Sequence, residues 1–315
     1  MGKSTSSKVV NPTHNPQWDR WSYRIGCPVW ACRHWQGQVY PDGTRADDFL
    51  RWYSHAFPTV EGNSTFYALP PVSTVEKWIE SAAATFQFCF KFPRKISHDS
   101  KLVHCGKELE LWLDRLALLR ESGHLGPTFL QLAPSFSFAH FAQLSSFLKQ
   151  LPSDWPWAVE VRHRDWFDTG DCEAKLDELL RELCIDRVLF DSRPLNSESA
   201  TDSAEQASQS RKPKSPFRTT VTGKRPMVRL IGRNNAAEVT EYWEEWAAQI
   251  ANWIRQGYQP WIFTHAPDDT YAPGLARLLH EFVRLELPQL SQLPNLVAER
   301  GQVPADTPLR QMDLF

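Results

Sequence analysis

Residues 157–166 read WAVEVRHRDW, and the order of residue types in this stretch decides the fold. Side chains alternate between the two faces of a strand, so Val159 and Val161 share one face while Glu160 and Arg162 share the other. Charges in an otherwise apolar strand are costly to bury unless they are paired or open to a cleft. Such a strand belongs in a buried sheet, with its charged end at the rim. Seven further runs are strand-like: 23–28, 59–63, 86–92, 127–132, 186–192, 227–232 and 260–266.

Between these runs, and after the last, lie segments with apolar residues at i, i+3, i+4 spacing: 46–57, 73–84, 107–122, 138–151, 172–183, 239–256 and 273–286. Asp47, Ser73 and Thr240 fit helix starts. Eight strands alternating with helices predict an α/β chain with a parallel sheet. An open doubly wound sheet shares that pattern, but eight units favour closure into a (β/α)8 TIM-barrel-like single domain over residues 22–290. Residues 1–21 are expected to form a flexible N-terminal arm, and 291–315 a flexible C-terminal tail. Residues 194–226 interrupt the rhythm. Their Ser/Ala/Glu/Gln-rich start predicts a mobile insertion. Residues 211–225 hold six basic residues and no acidic one, which suits a solvated loop or a phosphate contact.

The chain has 315 residues, 42% hydrophobic and 23% charged, with a formal net charge of −2. Overall charge therefore points to no nucleic-acid partner, and any such contact needs a local patch. No run approaches the roughly 18 apolar residues that span a bilayer, so no membrane partner is expected. Six cysteines without a C-x-x-C pair read as reduced thiols, and the polar N-terminus carries no apolar secretory core, which together predict a cytoplasmic location.

A closed barrel would gather the polar residues of the strand ends at one mouth. Glu61, Lys91, Glu160 and Asp191 are the candidate catalytic groups. Asn63, Tyr67, His98, Gln131, Arg162, His163, Trp166 and Arg229 are the candidate substrate contacts, and His265 ends the last strand. An internal salt-bridge network is the competing expectation. The carboxylates and histidines are compatible with a single divalent metal, but Lys91, Arg162 and Arg229 disfavour a metal cluster, and no cofactor is identifiable. The surplus of Arg and Lys fits an anionic substrate, held bidentately by Arg. Glu61 or Glu160 could then act as acid or base, and His98 or His163 as proton shuttle. Lys91 could serve as a Schiff-base nucleophile if its pKa is depressed. A hydrolase or lyase fits this set, although no P-loop, G-x-S-x-G or H-E-x-x-H motif selects a reaction.

The stretches VEGNSTFYALP, FKFPRKISHD, LQLAPSF, VEVRHRDWF, FDSRP, VRLIG and FTHAPDD together resemble the YecE-like family, a bacterial domain of unknown function, over about residues 23–285. The resemblance implies a TIM-barrel-like fold but no established reaction. It also implies recurring polar positions at Glu61, Asn63, Thr65, Tyr67, Lys91, His98, Gln131, Glu160, Arg162, His163, Trp166, Asp191 and Arg229. THAPDD stands where many members carry an Asn pair, and RLIG where many read RLHG, as in the enterobacterial-type subgroup.

The chain ends in QMDLF, Gln311, Met312, Asp313, Leu314 and Phe315. This pentapeptide resembles the motif by which bacterial replication and repair proteins dock on the sliding clamp. Leu314 and Phe315 would fill an apolar pocket and the Gln311 amide would orient the peptide. Packing of these residues on the chain's own surface is the alternative. The combined expectation is an enzyme on a phosphate-containing or nucleic-acid substrate, recruited to the clamp. A non-catalytic DNA-associated module, or an enzyme of sugar or carboxylate metabolism, would fit the same residues.

Overall fold

The computed structural model describes Pro16 and residues 20–297. Its strands are β1 (Arg24–Gly26), β2 (Thr59–Gly62), β3 (Gln87–Phe90), β4 (Thr128–Gln131), β5 (Trp157–Glu160), β6 (Asp186–Asp191), β7 (Met227–Ile231) and β8 (Trp261–His265). All of the strand pairings are parallel. One curled sheet runs β1-β8-β7-β6-β5-β4, and β2 pairs with β3 beside it. First and last strands thus meet, as the barrel expectation requires.

Two seams flank the β2–β3 pair. The Glu61 N–H crosses the first to Cys27 O at 3.0 Å. Across the second, Phe92 N–H reaches Phe129 O at 3.0 Å and Gly126 N–H reaches Phe88 O at 2.8 Å. Gly26 makes the first seam possible, since a Cβ there would lie 2.1 Å from Thr59 O.

The helices are α1 (Phe49–Ala56), α2 (Ser64–Tyr67), α3 (Val72–Ser81), α4 (Gly106–Glu121), α5 (Phe141–Leu148), α6 (Asp171–Glu182), α7 (Ser203–Arg211), α8 (Thr240–Arg255) and α9 (Ala272–Glu286). Two expected starts are displaced: Asp47 lies in a short 3-10 turn before α1, and Ser73 lies inside α3, which Pro71 precedes. Thr240 opens α8 behind another 3-10 turn, at whose head Asn235 accepts the Ala237 N–H. Trp112, Trp243 and Trp246 are buried between helices and sheet. Inside the barrel Cys89, Phe129, Ala158, Val188, Met227, Trp261 and Phe263 form a separate apolar cluster. Cys184 is exposed in a left-handed turn after α6 (φ 54°).

The insertion differs most from expectation. Residues 194–226 are anchored instead of forming a mobile excursion. Asp202 caps α7 by accepting the Glu205 N–H at 2.8 Å. Glu205 is fully buried and takes Arg233 Nη2 at 2.6 Å, together with the backbone N–H groups of Thr201 and Asn234. Thr222 Oγ accepts the Arg187 N–H and donates to Ile185 O. Polar composition hid this because the partner of Glu205 lies 28 residues away in sequence.

The packed body also passes the expected limit at residue 290. Leu293 and Leu296 are buried, Arg277 Nη2 donates to Pro294 O at 2.8 Å, and His280 Nε2 lies 3.0 Å from Ser291 O. The rest of the expected tail, including Gln311–Phe315, and most of the N-terminal arm lie outside the described residues.

Glu205→Ala leaves Arg233, which is 1% exposed, with Glu238 as its remaining carboxylate. A loss of about 2–4 kcal/mol is expected in urea unfolding. Limited proteolysis should then cut within 198–215, and an uncut segment in the variant would contradict the anchoring.

Candidate functional site

The inner-facing residues at the C-terminal ends of the strands meet in one charged layer. Arg229 of β7 holds Glu61 of β2 bidentately, with Nη2 2.7 Å from Oε1 and Nε 2.8 Å from Oε2. Its Nη1 donates to Glu160 Oε2 of β5 at 2.7 Å. Arg162 pairs with the other Glu160 oxygen and meets Gln131 Oε1 at 3.3 Å. His265 Nε2 lies 3.1 Å from Glu61 Oε2, and Asn63 Nδ2 donates to Glu61 Oε1 at 2.8 Å. Glu61 and Glu160 have no solvent exposure.

Burial opposes ionisation of Glu61, but Arg229, joined by a hydrogen bond from His265, outweighs it and holds the carboxyl well below its usual range. For Glu160 burial is likewise outweighed, by Arg162 and Arg229. Burial pushes His265 down to about 4 against the pull of Glu61, so at neutral pH a neutral imidazole sits beside the carboxylate.

Two carboxylates and two guanidiniums cancel within this layer. Two ammonium groups remain beside it. Lys91, 8% exposed, stands just past β3 and places Nζ 3.8 Å from the centre of the Phe66 ring. The Thr65 hydroxyl donates to Lys91 O at 2.7 Å and fixes that backbone. Lys212 enters from the insertion immediately after α7 and is partly buried. Neither lysine forms an ion pair among the described residues. Burial and then Arg229 push each ammonium down to about 8. Asp269, after β8, feels the Lys212 charge without pairing to it.

His98 faces Phe66 edge-on at 4.9 Å, and burial followed by Lys91 lowers it to about 4. It lies on a π-helical turn, Lys95–Asp99, and Lys101, Leu102 and His104 just beyond it adopt positive φ. Strained backbone of this kind is concentrated at functional sites. Tyr67, 79% exposed, stacks edge-on to Phe66 at the rim.

Three expected site residues lie elsewhere. Asp191 is on the outer face of β6, where Trp246 Nε1 donates to it at 2.8 Å and Arg193 holds it through Nε and Nη2. The inward residues of that strand are Val188 and Phe190, so the strand-end position was right and the face was wrong. Trp166 is fully buried, its indole N–H bonded to Phe136 O at 2.7 Å. His163 turns to its own loop, where Nδ1 accepts the Asp165 N–H at 3.2 Å. Lys212 and His265 were not among the expected site residues. The basic run of 211–225 signalled the first without singling it out, and His265 was visible only as a strand end.

Among the described residues, no group of three or more His, Cys, Asp or Glu is placed to hold a metal ion. A cavity of about 320 Å³ lies at the opposite end of the barrel, lined by Arg24, Gln87, Arg225, Gln259 and Trp261, away from these charges. No helix among the described residues is long and apolar enough to cross a membrane.

Residues 24–299 match the family described as protein of unknown function DUF72. The chain is 34% identical over 272 residues to UPF0759 protein YecE of Escherichia coli (strain K12), covering 86% of this chain and 96% of that one. It is 30% identical over 160 residues to UPF0759 protein YunF of Bacillus subtilis (strain 168), covering 48% and 55%. A DUF72 family structure from Thermotoga maritima aligns with a TM-score of 0.61 at 21% identity, over 85% of this chain and 99% of that one. One from Enterococcus faecalis gives 0.59 at 19% identity, over 77% and 94%. These structural likenesses speak for the fold alone.

Arg229→Met leaves buried Glu61 without a guanidinium and Glu160 with Arg162 alone, and a loss of about 3–5 kcal/mol is expected in denaturant unfolding. His265, with its pKa near 4, resists a proton that the unfolded chain takes up near its ordinary 6.5. Stability should therefore fall as pH drops from about 6.5 towards 4, and less so in His265→Gln. Parallel unfolding curves for the two proteins across that window would contradict the assignment.

Proposed function

The chain belongs to the DUF72 family, and on that premise we propose that it is an enzyme acting on an anionic, phosphate-bearing substrate at the C-terminal mouth of its barrel. The charge balance of the mouth carries this reading. Glu61, Arg229, Glu160 and Arg162 neutralise one another, whereas Lys91 and Lys212 add positive charge that no ion pair among the described residues cancels. Arg162 Nε is buried without a hydrogen-bond partner, a further donor for an anion. Placing charge where it is not internally matched is how a barrel mouth recruits a ligand of opposite sign.

The roles follow from the geometry. Lys212 and Arg162 hold the anionic group. Glu61 and Glu160 are tied so fully to Arg229 that they set the field of the site, and His98, neutral and half-exposed, is the proton carrier. Exposed Tyr67 offers a ring face on which a base can stack, which suits a nucleotide or single-stranded nucleic acid. The reaction class is hydrolase or lyase, working in the cytoplasm where its thiols stay reduced. Recruitment to the sliding clamp through Gln311–Phe315 belongs to the same proposal and rests on the pentapeptide alone. The mutual locking of four charges also supports a second reading, in which the mouth binds an anion without chemistry.

Sulfate keeps its charge between pH 7 and 9.5 and probes the mouth directly by titration calorimetry. Its affinity should fall as pH rises through about 8, where both lysines lose their protons. Lys212→Met should weaken binding about tenfold, the order expected for a lost charge-assisted hydrogen bond. Affinity indifferent to both changes would move the anion elsewhere. For the tail, the full chain should bind the bacterial sliding clamp and a chain lacking Gln311–Phe315 should not. Equal binding, or none by either, removes that part of the proposal.

A further inference from the structure

We propose that Lys91 is a covalent catalyst, forming a Schiff base with a substrate that carries an aldehyde or ketone carbonyl as well as its anionic group. This rests on the reading of the mouth as an anion site and narrows it to one class of compound: phosphorylated or carboxylated carbonyl compounds.

A lysine becomes nucleophilic when it is desolvated or crowded by other cations, since both disfavour its protonated form. Lys91 meets both conditions. Its side chain is buried at the inner rim, its ammonium rests on the Phe66 ring instead of pairing with a carboxylate, and burial and then Arg229 disfavour its charge more than Glu160 and Glu61 favour it. Its backbone is pinned by Thr65 at the end of a barrel strand, a rigid mount for a nucleophile. Lys212 shares the lowered pKa but not the mount. It follows a surface helix and is more exposed to solvent, and in this proposal it holds the anionic end of the ligand while Lys91 meets the carbonyl.

The step balances without a co-reactant. The neutral Lys91 amine attacks the carbonyl carbon, the C–N bond forms, and the carbonyl oxygen departs as water with both amine hydrogens. The imine that remains takes one proton from solvent. That iminium withdraws electrons from the neighbouring carbon, which suits cleavage or proton abstraction there, the chemistry of a lyase. With its pKa near 8, Lys91 is already neutral in part at pH 7.5, its proton lost to solvent.

Pyridoxal 5′-phosphate, an aldehyde bearing a phosphate, tests this on the intact chain. At pH 7.5, one equivalent followed by borohydride should place most of the phosphopyridoxyl label on Lys91 by peptide mapping. Sulfate should suppress it, and Lys91→Met should abolish it while sulfate still binds, weakened only by the lost charge. Lys212→Met should leave Lys91 reactive but demand about tenfold more reagent, as for the lost anion contact above. A label on Lys212, or spread over surface lysines with Lys91 spared, overturns the Schiff base. If sulfate binding persists in that case, the anion site survives without it. If neither label nor sulfate binding is found at the mouth, both readings fall together.

Discussion

Arg229 gives two N–H groups to Glu61 and one to Glu160 in a place that water does not reach. Each of these charges alone would be strongly disfavoured there, and their attraction is large only because the surroundings cannot screen it. The consequence runs outward. His265 and Asn63 orient on Glu61, Arg162 orients on Glu160, and Gln131 orients on Arg162. Most of the polar geometry of the mouth is therefore a set of responses to one guanidinium. The same network explains why Lys91 stands apart, since Glu61 and Glu160 are already committed, whereas Asp269 lies near Lys212 without pairing to it.

Much of the fold was legible in sequence because period-2 and period-3.6 patterns are direct statements about which face is buried. All eight expected strands and the seven expected helices are present. The site was legible where that parity was applied within a strand, as with Glu160 and Arg162, and misread where a strand end alone was used. Asp191 is one residue beyond the inward-facing Phe190, and one residue is enough to turn a side chain from the barrel to the helices. Trp166 and His163 share a conspicuous motif with Arg162, but the chain has left the strand by then and turns them into the core and into a local loop contact.

The insertion was opaque for a different reason. Its stability resides in long-range pairing of Glu205 with Arg233, which local composition does not encode. A polar segment with few apolar residues reads as unable to fold, yet one buried and fully satisfied carboxylate can anchor it. That anchoring delivers Lys212 to the mouth, so the least regular part of the body contributes one of its two unmatched charges.

The seams on either side of β2 and β3 give the barrel a mechanical character. Few backbone hydrogen bonds cross them, so the pair is joined to the rest of the wall more loosely than any other strands are to their neighbours. Glu61 lies on this panel and Arg229 on the far wall, and their bond spans the interior like a tie-rod. Closure of the barrel is therefore coupled to the charge state of its centre. A change that relaxes the tie leaves the panel carrying Glu61 held to its neighbouring strands chiefly by the few bonds of the two seams.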